Sequence, residues 1–124
     1  MTTKQLITES SLKASSFSFS PGPTGGVFVQ ANFEGTATGF GTVCGTMNAS
    51  PAGQPSGTWD WCGVTYPETG DSVTGTGHGT FSKSGANRWA TKGVLQISDG
   101  RVGQWEGELD LATRIWSSKI YAAG

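Results

Sequence analysis

Several chemistries are missing from this chain. Its 124 residues include a single histidine and two cysteines, Cys44 and Cys62. Two thiols are too few for a disulfide framework and lack metal-ligand spacing, and one histidine argues against a zinc site, so no metal or organic cofactor is implied. Eight basic and nine acidic residues nearly cancel. No basic run or stripe of the kind that neutralises phosphates is present, which sets nucleic acid aside as a partner. No segment approaches membrane-spanning length, and Met1 to Glu9 lacks the apolar core of a signal peptide, so no membrane partner and a cytoplasmic location are expected. There is no G-x-S-x-G elbow, no phosphate loop and no Cys-His pair of known spacing.

What is present is glycine, threonine and aromatic residues. Five Trp, six Phe and two Tyr are spread through a chain with 20 Gly, which indicates a folded all-β domain rather than a disordered one. The key stretch is Val73-Thr74-Gly75-Thr76-Gly77-His78-Gly79-Thr80-Phe81, with glycine on one parity and Thr or His on the other. That is the period of a strand. Glycine at every second position implies a face that bends sharply or lets another group approach the backbone. The same glycines do not form a dinucleotide fingerprint, because the pattern continues as strand where a helix N-terminus would be needed.

The chain divides into residues 1–12, an arm or short first element, and residues 13–124, one domain. Phe17 and Phe19 alternate with serines as a half-buried strand, and Pro21 to Gly26 breaks it. Further strands are expected over Val27 to Thr36, Phe40 to Asn48, Gly57 to Tyr66, Ser72 to Phe81, Arg88 to Ile97, Arg101 to Leu111 and Arg114 to Ala122. A turn near Thr38-Gly39 or a bulge separates the second from the third. Asp99-Gly100 predicts a two-residue hairpin turn. Eight antiparallel strands in succession must deal with their edges, and closure into an up-and-down eight-stranded β-barrel does so; a β-sandwich is the alternative.

Short turns allow partners to be guessed. Trp105 is expected opposite Val94 and Ile120, Leu109 opposite Ala90 and Trp116, and Glu106 opposite Gly93 and Lys119. Cys44 and Cys62 fall opposite each other if their loop is centred on Gly53, and are read as two buried thiols. The last strands thus have an apolar face (Val94, Trp105, Leu109, Leu111, Trp116, Ile120) and a polar one (Gln104, Glu106, Glu108, Asp110, Lys119, Tyr121). Either the apolar face fills the barrel, or a polar lumen holds Glu106 and Glu108 while the apolar outside packs against other subunits of a homo-oligomer.

Four residues are candidates for general acid/base chemistry. His78, the one imidazole of the chain, could act as acid or base, with Asp60 as its nearest partner by strand order. Glu106 and Glu108 share a strand face, where mutual repulsion would raise one pKa. Trp59, Trp61, Trp89, Trp105 and Tyr121 are candidates to wall an apolar pocket, each otherwise being core or surface filling. These residues suggest a barrel enclosing a small apolar or aromatic molecule. The expected activity is that of a cofactor-independent isomerase, cyclase or lyase, with a non-catalytic carrier or a structural oligomer with a filled core as alternatives.

The strands from Lys13 to Ala122, with the Gly-Thr pairs at 35, 41, 45, 57, 75 and 79, resemble a small barrel of the allene-oxide-cyclase-like or calycin type. That resemblance implies a cofactor-free cyclase or isomerase. The chain is also similar to the avidin family in its Trp-rich strands and Gly-Thr starts, which implies a binder without turnover.

Overall fold

The computed structural model describes residues 4–123. Its eight strands are β1 (Leu6–Pro21), β2 (Val27–Ala37), β3 (Gly41–Ser50), β4 (Ser56–Tyr66), β5 (Thr74–Gly85), β6 (Arg88–Ile97), β7 (Val102–Asp110) and β8 (Ile115–Ala122). Each pairs antiparallel with its neighbours in sequence, and β1 pairs with β8 to close the barrel. No edge is left unpaired around the girth, so the barrel and not the sandwich is formed.

The segment before Lys13 supplies that closure. Leu12 stands opposite Trp116 and Ser10 opposite Ser118. Residues 6–12 are therefore the first half of β1. The lumen-facing positions there include Thr8 and Ser10, so apolar alternation does not mark them as strand.

The apolar faces fill the interior, with Leu12, Ala31, Phe33, Trp105 and Trp116 all at 2 % exposure or less. Gln104, Glu106, Glu108 and Lys119 lie on the outside. The polar-lumen reading is thereby corrected, and with it the apolar exterior that made a homo-oligomer its companion. Burial of four indoles outweighs what a lumen could offer two carboxylates. Membrane barrels have an apolar outward band around a polar interior; here the polarity is the reverse. No helix long and apolar enough to cross a membrane occurs among the described residues.

Two registers differ from expectation. At Asp99-Gly100 the Ile97 N–H donates to the Arg101 carbonyl at 2.9 Å and the Gly100 N–H donates to the Ile97 carbonyl at 3.0 Å. The connection is thus three residues long, Ser98 to Gly100, with Gly100 in the left-handed region at φ 99°. β6 slips by one residue. Trp105 faces Gly93 rather than Val94, Leu109 faces Trp89 rather than Ala90, and Glu106 faces Lys92 rather than Gly93. Val94 is turned outward as a result. Pairing with β8 is as expected, Trp105 with Ile120, Glu106 with Lys119 and Leu109 with Trp116.

In the same turn the Arg101 side chain donates to Asp99 Oδ2 at 2.8 Å and, through this hydrogen bond first, holds the carboxyl below its ordinary range. The lowered folded-state pKa stabilises the turn above the ordinary carboxylate pKa, and that contribution is lost as the pH falls through the folded value.

The β3–β4 pairing is centred on residue 54, not 53. Cys44 faces Val64 and Cys62 faces Thr46, so the cysteines are diagonal neighbours. Both are free and exposed on the outer face. They are not the buried, directly opposed pair expected.

The glycine strand explains the core. In the pairing of β4 with β5, Trp59 lies opposite Gly79, Trp61 opposite Gly77 and Gly63 opposite Gly75. Glycines face inward beside indoles, and Thr74, Thr76, His78 and Thr80 face outward. A Cβ on Gly93 would come within 2.7 Å of the Trp59 ring, and one on Gly63 within 2.5 Å of the Trp61 ring. The alternation of nothing with the largest side chain lets four indoles share one small lumen. Trp105 stacks on Trp116 with centroids 4.9 Å apart, and Trp59 and Trp61 meet both of them edge-on at 5.1 to 5.9 Å.

Candidate functional site

The tetrad of indoles divides the lumen. Toward one end, Trp61 and Trp105 floor a cavity of about 60 Å³ whose walls include Thr8, Ser10, Phe40, Val73 and Leu95. Toward the other, Trp59 and Trp116 floor a cavity of about 250 Å³. The larger one is the candidate binding site. An apolar cavity of about 150 Å³ accepts benzene, so the larger void has room for a two-ring skeleton.

The walls of the larger cavity come from strand ends. Phe17 and Phe19 of β1, Val29 of β2, Met47 and Ala49 of β3, Phe81 of β5, Trp89 and Thr91 of β6, and Leu109 of β7 surround the floor. β1 contributes through an irregularity. Its last pair with β8 is Lys13 with Ile115. A bulge between Ala14 and Ser16 then lets the strand continue, paired with β2, as far as Pro21 opposite Val27. This extension carries Phe17 and Phe19 on its inner face, with ring centroids 6.3 Å apart and planes 15° from parallel. Phe19 is 63 % exposed although it lines the cavity, so the hood is open to solvent at its outer end.

The polar groups around this cavity are almost all engaged. Trp59 Nε1–H donates to the Thr80 carbonyl at 3.0 Å, Trp89 Nε1–H to the Gln54 carbonyl at 3.1 Å, and Trp116 Nε1–H to Thr91 Oγ1 at 3.0 Å. Among the described residues, no titratable side chain lines it. Nor does one line the smaller cavity.

The residues expected from the sequence separate into three groups. Trp59 and Trp89 wall the larger cavity, and Trp61 and Trp105 the smaller. Tyr121 is on the outer surface, where the Lys4 ammonium sits 5.2 Å from its ring centre. Asp60, His78, Glu106 and Glu108 also face outward. Asp60 and His78 are directly opposed across β4 and β5. Asp60 accepts from Asn48 Nδ2 at 2.9 Å, in a row of outer-face side chains that continues to Gln30. Glu106 is 3.0 Å from Lys4 Nζ, and Glu108 accepts from Ser84 at 3.1 Å. The acid/base group expected inside the barrel is therefore not assembled there. Strand parity is the reason: with Trp59 and Trp61 inside, Asp60 must point out, and with Gly77 and Gly79 inside, so must His78.

Among the described residues, no three His, Cys, Asp or Glu side chains are grouped to hold a metal ion. Sequence reasoning overlooked Thr91, Met47 and the cavity-facing role of Phe17 and Phe19. The last was legible in part, since the Phe-Ser alternation marks one face.

The smaller cavity has one physical peculiarity. Ser10 Oγ is a buried side-chain atom without a hydrogen-bond partner among the described residues. A buried unpaired hydroxyl costs roughly 1–3 kcal/mol. Ser10→Ala is therefore expected to raise stability by about 1 kcal/mol in a urea titration, whereas a loss of stability would show that the hydroxyl has a partner in solution.

Fold and cavities together define a closed eight-stranded barrel with an aromatic centre and an apolar cavity toward each end, the larger of them hooded by β1. Comparison of the chain with protein-family models, curated proteins and solved structures gives no match.

Proposed function

We propose that the protein is a binding barrel that holds a small apolar or aromatic molecule in its mouth without turning it over. The observation that carries this reading is the cavity of about 250 Å³, walled by aromatic and aliphatic side chains, with Thr91 the one hydroxyl and no titratable group among the described residues that line it. Such a site gains affinity from burying apolar surface and from ring contacts. A proton-transferring cyclase, isomerase or lyase would need an acid or base within reach of the reacting atom. Asp60, His78, Glu106 and Glu108 are on the other side of the barrel wall, so the geometry favours the carrier over the enzyme.

The test is to fill the mouth. Ala49 lines the cavity and is 9 % exposed. In Ala49→Phe the added ring takes the ligand's volume, and affinity for naphthalene, followed by tryptophan fluorescence, is expected to fall more than about tenfold while the circular dichroism of the barrel is kept. His78→Ala and Glu106→Gln, both on the outer wall, should leave that affinity within about twofold, as surface changes remote from a site do. Naphthalene that fails to bind the wild type, or binds Ala49→Phe equally well, would remove the mouth as the site.

A further inference from the structure

We infer that the ligand is a neutral compound of one or two rings bearing a single carbonyl-type acceptor, and that the Thr91 hydroxyl donates to it. This rests on the mouth being the binding site and adds what the mouth selects. Thr91 is 6 % exposed and faces the cavity. Its oxygen accepts the Trp116 indole N–H. A threonine hydroxyl has one proton to give, and no acceptor for it is found among the described residues. The three indole N–H groups at the cavity are committed elsewhere. Among the described side chains one donor remains, on the cavity wall beside Trp116, in apolar surroundings.

The chemistry of that donor selects the ligand. A buried proton left unpaired costs more than a spare lone pair, so the ligand atom that meets it is an acceptor. The indole bond polarises the hydroxyl and strengthens the bond it donates. A ligand alcohol that accepts the Thr91 proton would bring a proton of its own, for which the described side chains of the walls offer only the weak Met47 sulfur. A carboxylate would exchange full hydration for one hydrogen bond, which is far too little. A ketone, aldehyde or similar carbonyl uses the donor and leaves nothing unpaired.

Three probes of one shape separate these cases: tetralin, 1-tetralone and 1-tetralol, measured by calorimetry against the whole chain. The quantity read is the ratio of tetralone to tetralin affinity, with tetralin as the internal reference for any loosening of Trp116. Thr91→Val removes the donor at nearly constant volume and is expected to lower that ratio about 3- to 10-fold, the worth of one net hydrogen bond. Thr91→Ser keeps the hydroxyl and should restore it. In the wild type, tetralol should bind more weakly than tetralone. If tetralin and tetralone bind and the ratio is the same in Thr91→Val, the assignment of Thr91 is overturned while the mouth remains the site. If none of the three binds, the binding-barrel reading falls with it.

Discussion

Replacing Trp116 with alanine is expected to destabilise the barrel by about 3–5 kcal/mol, the range found when a buried aromatic ring is truncated. This side chain is 1 % exposed and touches nearly everything at the centre. Its ring lies 4.9 Å from Trp105, 5.3 Å from Trp59, 5.4 Å from Phe33 and 5.9 Å from Trp61. Three further costs follow. The neighbouring indoles are themselves packed against glycine backbones and have little freedom to collapse into the void. The Thr91 hydroxyl loses the N–H it accepts, and the two cavities now separated by the tetrad join. Urea titration measures the loss, and near-ultraviolet circular dichroism should show the stacked indole signal vanish. A cost below about 1.5 kcal/mol would mean that the tetrad does not act as one packed unit.

A methyl group at Gly79 should be almost as damaging. Its Cβ would run into the Lys92 carbonyl oxygen and lie 2.6 Å from Gly93 Cα, both of them backbone atoms of the paired strand. Side chains can rotate away; a hydrogen-bonded strand cannot. Gly79→Ala is therefore expected to cost roughly 3 kcal/mol, the upper end for overpacking. The matched control is Gly85→Ala in the same strand, where the nearest atoms are in the Arg88 side chain at 3.7 and 3.9 Å. That change should cost less than about 0.5 kcal/mol, as substitutions away from packed features do. Equal effects at the two positions would show that glycine entropy, and not close approach of β6, sets the requirement.

The Gly-Thr-Gly-His-Gly stretch is legible as a strand from its sequence. Alternation with period two marks a strand wherever the two faces meet different surroundings, and this one faces indoles on one side and water on the other. The strands from Val27 onward are visible for the same reason. The first half of β1 is not, because Thr8 and Ser10 point inward where an apolar residue would announce a face. Thr8 is buried through its own hydrogen bond to the Thr38 carbonyl at 2.7 Å, a partner 30 residues away that local pattern does not reveal. Thr91 escaped notice for a similar reason. A threonine in a strand is ordinary; it becomes notable only because Trp116, on a strand that is not its neighbour, gives its N–H to that oxygen.

Register carried the rest. One residue more in the turn after Ile97, and a pairing centre one residue later between β3 and β4, moved Val94 outside and set the cysteines diagonal to each other. A one-residue slip exchanges the two faces of a strand, which is how the β6 shift put Val94 outside; the β3–β4 register moves by two residues, which keeps the faces and changes only the partners.

The sequence by itself determined the all-β class, the number and order of the strands, the alternation that sets tryptophans and carboxylates on opposite faces, and the absence of a membrane-length run. Each of these is a property of local periodicity or composition, which the chain carries wherever it goes. Only the tertiary structure decided that the carboxylates and His78 lie outside, that the tryptophans split the lumen into two cavities, and that the β1 extension hoods the larger one. Those outcomes depend on strand closure, turn length and a bulge, which bring together residues far apart in the chain, and on the packing of four indoles against glycine backbones, which leaves room at the ends of the barrel and none at its centre.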